Sequence, residues 1–133
     1  MTDTAPRHQQ RERALSLLYE AELKGEGPLQ VVAALAVPPD PYVRTLVEQA
    51  VATREEADSR ITAASVGWPI DRMAVIDRIV LRLAVAELLD PDGPPVAVVI
   101  DEAVELVKEY STDESGRFVN GILSTISAEV KPG

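Results

Sequence analysis

The chain has 133 residues, a net charge of −9, 46% hydrophobic and 26% charged residues, and no cysteine. That is ordinary globular composition on the scale of one domain, and it excludes a disordered chain, a disulfide framework and a thiolate metal site. No stretch approaches the roughly 20 apolar residues of a membrane span. The polar opening MTDTAPRHQQRER lacks the apolar segment of a secretory signal, so a cytoplasmic location is expected.

Helical periodicity dominates from the first segment. Ala14, Leu17, Leu18 and Ala21 share one face of a helix that Gly25 and Gly27 end. Pro28 opens a short second helix with Leu29, Val32, Ala33 and Ala36 on its face, and Pro38-Pro39 stops it. Asp40-Pro41 starts the next, and the stripe Val43, Leu46, Val47, Ala50, Ala57, Ile61, Ala64 predicts one long helix over about 41–65. Gly67-Trp68-Pro69 breaks it.

From Asp71 to Asp90 the chain is apolar almost all round, as expected for the central helix of a bundle, with a kink or short turn near Met73 to Val75. Val96, Val99, Ile100, Ala103, Val107 and Tyr110 repeat at helical spacing despite their β-branched content. Ser111 and Glu114 have capping-box spacing for a last helix with core face Phe118, Ile122, Leu123 and Ile126. Asn120 and Gly121 are read as permitting close helix packing. The fold class is all-α, a compact bundle of about six to seven helices by this periodicity.

Catalytic chemistry has little to stand on. His8 is the only histidine and the seven glycines are scattered, so neither a clustered ligand set nor a phosphate-cradling loop is present. Asp101, Glu102, Glu105 and Glu109 are the best acid–base candidates, but a solvated helix face with Lys108 interspersed is by far the better explanation of them. No metal, no cofactor and no enzymatic activity are expected.

The charge distribution says more than its sum. Between Ala5 and Tyr19 lie three arginines against the single acid Glu12. At about 100° per residue, Arg7 and Arg11 extend the core-facing stripe beyond its end, His8 flanks them, and Arg13 points to solvent. Two guanidinium forks there suit phosphates and base edges. The alternative is a solvated, fraying helix end. On the first reading, Arg11→Ala weakens binding of a polyanion such as RNA and leaves the fold intact.

Three segments together are similar to the NusB family of bacterial antitermination and ribosomal RNA maturation factors. They are RHQQRERALSLLYEAEL at Arg7 to Leu23, WPIDRMAVIDRIVLRLAVAELL at Trp68 to Leu89, and VVIDEAVELVKEYSTDESGRFVNGIL at Val98 to Leu123. The resemblance implies a single RNA-binding domain of two packed helical subdomains, about 1–66 and 67–133. It implies binding to the boxA element of ribosomal RNA leaders, a heterodimer with the small-subunit ribosomal protein NusE, and action in the RNA polymerase antitermination complex. It places RNA-facing positions at Arg7, His8, Arg11, Arg117 and Phe118, and partner-facing positions at Tyr19, Glu22, Asp77, Arg82 and Glu114.

Bland roles stand beside these. Tyr19 can be an amphipathic edge residue, Phe118 pure core and Glu114 a capping residue, while Arg78 and Arg82 can pair with carboxylates such as Asp71 or Glu102. Where many members carry a denser arginine run, this chain reads Arg7-His8-Gln9-Gln10-Arg11, a thin basic edge that predicts weak RNA binding without NusE. The rival readings are a helical interaction module without RNA, including a homodimeric adaptor that masks the first helix, and a fragment of a larger methyltransferase. The chain offers no Rossmann-type domain or cysteine nucleophile for the last.

Overall fold

The structure, a computed structural model, describes residues 6–132. Among them it contains seven α-helices, one 3-10 turn and no strand. Helix α1 (Arg7–Lys24) buries Ala14, Leu15, Leu17, Leu18 and Ala21. Gly25 ends it at φ +65°, where Gly25 N–H donates to the Glu22 carbonyl and Glu26 N–H to that of Ala21. This double closure requires a left-handed residue, which glycine adopts without strain.

Helix α2 (Pro28–Ala33) is short, and its first turn is tied by the Gln30 side chain accepting from Gly27 N–H at 3.1 Å. Its buried face is Val31 and Val32, whereas Leu29 and Ala36 stay exposed.

The single long helix expected over 41–65 is two helices, α3 (Pro41–Ala52) and α4 (Arg54–Ala64). Thr53 stands between them, and its hydroxyl donates to the Gln49 carbonyl at 2.8 Å. A β-branched residue back-bonding to position i−4 bends a helix. Packing uses the bend: α3 lies against α1 and α5, while α4 lies against α5 and α7. The stripe continues through the break because Ala57 and Ile61 are fully buried on the second set of partners.

After the 3-10 turn at Ile70–Arg72, α5 (Val75–Leu89) packs against α1, α3, α4, α6 and α7. Its almost all-round apolar surface follows from that central place. Helices α6 (Val96–Tyr110) and α7 (Asp113–Val130) form a hairpin on it. The α7 cap falls one residue later than the capping-box spacing suggested: Thr112 Oγ1 accepts from Ser115 N–H at 3.0 Å, and Glu114 is exposed. Close approach in the hairpin belongs to Gly116, where a Cβ would sit 2.9 Å from the Lys108 side chain; Gly121 faces open space.

Val66 follows α4 with φ +49° and is 90% exposed. A β-branched residue in the left-handed region carries about 1–2 kcal/mol of strain with no packing to offset it. Val66→Asn is therefore expected to stabilise the protein by about 1 kcal/mol, read as a rise in the urea midpoint; an unchanged or lower midpoint would refute the strain.

Candidate nucleic-acid and partner interface

The N-terminal end of α1 is built on one buried ion pair. Glu87 is the only charge in the apolar stretch Leu83–Leu89 of α5 and is 4% exposed. Arg11 meets it with a two-pronged contact, Nε to Oε1 at 3.0 Å and NH2 to Oε2 at 3.0 Å. Burial alone would lower the Arg11 pKa, but the hydrogen bonds and charge of Glu87 reverse that and raise it. Arg11 is itself 6% exposed. The expectation that it lies beyond the core is therefore corrected: the core extends one helical turn further and closes on a carboxylate the helical wheel of α1 alone cannot show.

Tyr42, near the start of α3, links this pair to the surface. Its hydroxyl accepts from Arg11 NH2 at 3.2 Å, and its ring lies under the Arg7 guanidinium at 3.7 Å from ring centroid to Cζ. Arg7 is exposed and also donates from NH1 to Gln10 Oε1 at 2.7 Å. Gln10 is buried and donates to Asp40 at 3.4 Å. Arg13 points to solvent, as the wheel predicts.

His8 is held by the acidic face of α6. Its Nδ1 lies 2.8 Å from Glu102 and 3.9 Å from Glu105, and its Nε2 lies 3.5 Å from Glu109. The hydrogen bond to Glu102 raises the imidazole pKa above its ordinary 6.5, against a smaller lowering by burial. Groups His8–Glu102–Glu105 and His8–Glu12–Glu109 are spaced closely enough to offer ligands to a metal ion, but Glu102, Glu105 and Glu109 on α6 are already paired with His8, and Glu12 on α1 accepts from Tyr110. Tyr110 donates to Glu12, which pushes the phenol up to about 12 and ties the end of α6 to α1.

A raised histidine pKa means the folded state holds the proton more tightly. The stabilisation from His8 is therefore complete below about pH 6.5 and fades as pH rises through the higher folded value. His8→Gln is expected to flatten the stability profile above pH 6.5 relative to wild type, in matched denaturation series. Parallel wild-type and variant profiles would contradict it.

Arg117 and Phe118 lie in the second turn of α7, Arg117 exposed and Phe118 half-buried against the core. Among the described residues no hydrogen bond or ion pair joins either to α1.

The positions expected to face a protein partner divide in two. Tyr19 is half-buried and Glu114 exposed. The others belong to internal networks. Arg82 grips Asp58 with Nε at 2.7 Å and NH2 at 3.1 Å, and reaches Glu22 at 3.4 Å, while Arg78 lies 3.5 Å from Glu22. The carboxylates that pair with Arg78 and Arg82 are thus Glu22 and Asp58, not Asp71 or Glu102. Asp77 is 6% exposed; its Oδ2 accepts from Ser115 at 2.8 Å, and its buried Oδ1 has no partner. A cleft of about 290 Å³ opens beside the Arg82 network, walled by Leu18, Ala21, Ala50 and Ile79.

Tyr42, Gln10 and Glu87 are the residues sequence reasoning missed at the α1 end. One signal was available: a lone carboxylate inside an apolar helix needs a cation, and Arg11 is the arginine aligned with the core.

Fold and surface together define an all-helical binding protein that packs its helices around one central helix and exposes a small arginine edge. The NusB family profile matches residues 8–128, and the chain belongs to the NusB family. It is 46% identical over 127 residues to the transcription antitermination protein NusB of Saccharopolyspora erythraea, covering 91% of this chain and 86% of that one. Against the Streptomyces griseus protein of the same name it is 42% identical over 137 residues, covering 96% and 95%. T. maritima NusB superimposes with a TM-score of 0.87 at 34% identity over 98% of this chain and 96% of that one. A crystal structure of antitermination factors NusB and NusE in complex with dsRNA matches with a TM-score of 0.78 at 35% identity, over 92% and 96%. No described helix is long and apolar enough to cross a membrane.

Proposed function

We propose that this chain is an antitermination factor that binds boxA RNA of ribosomal RNA transcripts jointly with NusE, within the RNA polymerase antitermination complex, and so supports ribosomal RNA transcription and maturation. The observation that carries this reading is the match over nearly the whole chain to a NusB assembled with NusE and RNA. The exposed guanidinium of Arg7 supports it, since a planar cation outside the core serves RNA better than it serves stability.

In this proposal Arg7, His8, Arg117 and Phe118 face the RNA. Arg11 acts from beneath, holding Tyr42 and the first turn of α1 in place. Tyr19 and Glu114 face NusE, while Glu22, Arg82 and Asp77 shape that surface through the ion pairs and the Ser115 contact that fix α1, α5 and α7. The role is binding, in the cytoplasm, without a catalytic step.

Fluorescence anisotropy with labelled boxA RNA and a scrambled control, both with NusE present, tests it. Preference for boxA at several salt concentrations is the expected result. Equal binding of the two RNAs would favour the rival reading of a helical interaction module or homodimeric adaptor.

A further inference from the structure

The Arg7–Tyr42 contact has a geometry that plain surface solvation does not require. At 3.7 Å between Cζ and the ring centroid, the guanidinium lies flat on the ring, because an edge-on approach needs a greater separation. The ring cannot swing freely, since its hydroxyl accepts from Arg11, which is locked on buried Glu87. The guanidinium is also pinned in its own plane by Gln10, a 1% exposed side chain. Arg7 thus presents a fixed, charged, planar surface outward, and among the described residues no second ring lies against it. The first turn of α1 holds no acid that would repel a phosphate nearby.

A guanidinium plane immobilised on one face is the complement of an unstacked nucleobase on the other. Since the plane is ordered before binding, RNA does not have to order it. We propose that Tyr42 is a positioning residue that holds Arg7 as a stacking shelf for one base of single-stranded RNA. This rests on the RNA-binding reading above and adds a subsite to it. A lysine at position 7 keeps the charge and loses the plane, which separates stacking from simple phosphate attraction.

The test uses the full chain with NusE and boxA RNA. Tyr42→Leu and Arg7→Lys are each expected to weaken RNA binding by about three- to ten-fold, the low end of the range for a single stacking contact. The double variant is expected to lose no more than either single one, and Tyr42→Phe to lose less than Tyr42→Leu, because the ring remains while its hydroxyl anchor to Arg11 is gone. An abasic scan of the RNA should reveal one nucleotide whose removal weakens wild type but not Arg7→Lys. Arg7→Lys keeps the scan decisive even if Tyr42→Leu is destabilised, because residue 7 is exposed.

Unchanged affinity in Arg7→Lys, additive losses in the double variant, or the absence of any such nucleotide would overturn the shelf. If wild type prefers boxA over scrambled RNA while Arg7→Lys behaves as wild type, the shelf alone falls. If wild type shows no preference, the RNA-binding reading falls with it.

Discussion

Arg11→Ala is expected to cost about 3–5 kcal/mol of folding stability, the range for removing one partner of a buried ion pair. Both side chains are almost sealed, with Arg11 at 7% and Glu87 at 5% of their side-chain surface exposed. Alanine leaves the Glu87 carboxylate desolvated in the core, short of the guanidinium that satisfied both its oxygens. It also removes the donor that holds Tyr42. The paired change Arg11→Met with Glu87→Leu is expected to recover most of the loss, because apolar residues of similar volume remove the stranded charge. Urea denaturation of Arg11→Ala and of the pair checks this. A single variant that unfolds at the wild-type midpoint yet loses RNA affinity would restore Arg11 to the surface and refute the buried pair.

Arg82→Ala is expected to cost about 1.5–3 kcal/mol, the scale of charge-assisted hydrogen bonds. It is the smaller effect because the carboxylates left behind keep water: Asp58 retains 28% and Glu22 31% of its side-chain exposure. Arg82 joins α5 to α4 and to the end of α1, so its loss loosens the wall around the cleft beside Glu22. Reduced NusE binding by this variant would then follow from a disturbed surface. Glu22→Gln separates the causes, since it weakens the ion pairs while leaving the Arg82–Asp58 contact in place. Wild-type stability of Arg82→Ala together with lost partner binding would contradict the structural role.

The hydrophobic periods carried most of the fold. Ala14, Leu17, Leu18 and Ala21 are all buried as their spacing requires, and α5 lies at the centre as its almost all-round apolar surface requires. Local pattern failed where a tertiary partner decides. The stripe from Val43 to Ala64 reads as one helix because burial continues through Thr53, while the partners change there. The Ser111–Glu114 spacing is equally good on paper, but the chain caps with Thr112, whose neighbour Ser115 also serves Asp77.

The arginine edge shows the same limit more sharply. Spacing brought Arg7 and Arg11 to one sector, yet one turn of helix separates an exposed cation from a buried one. What divides them is Glu87, 76 residues away along the chain from Arg11. Tyr42 entered no sequence argument because a single tyrosine on a short helix has no period to reveal it. His8 stood out in the sequence as the lone histidine beside arginines, but its glutamate partners on α6 are a matter of packing.

On the proposed reading, the surface that remains for RNA is narrower than three arginines suggest, with Arg7 as its fixed element on α1. A short basic edge on a chain of net charge −9 makes few phosphate contacts, so the proposal requires that affinity come from joint binding. The direct measurement is titration of boxA RNA with the isolated protein and with its NusE heterodimer at one salt concentration. The heterodimer should bind at least about ten-fold more tightly, or 1.4 kcal/mol. An isolated protein that binds boxA as tightly as the heterodimer would contradict the account.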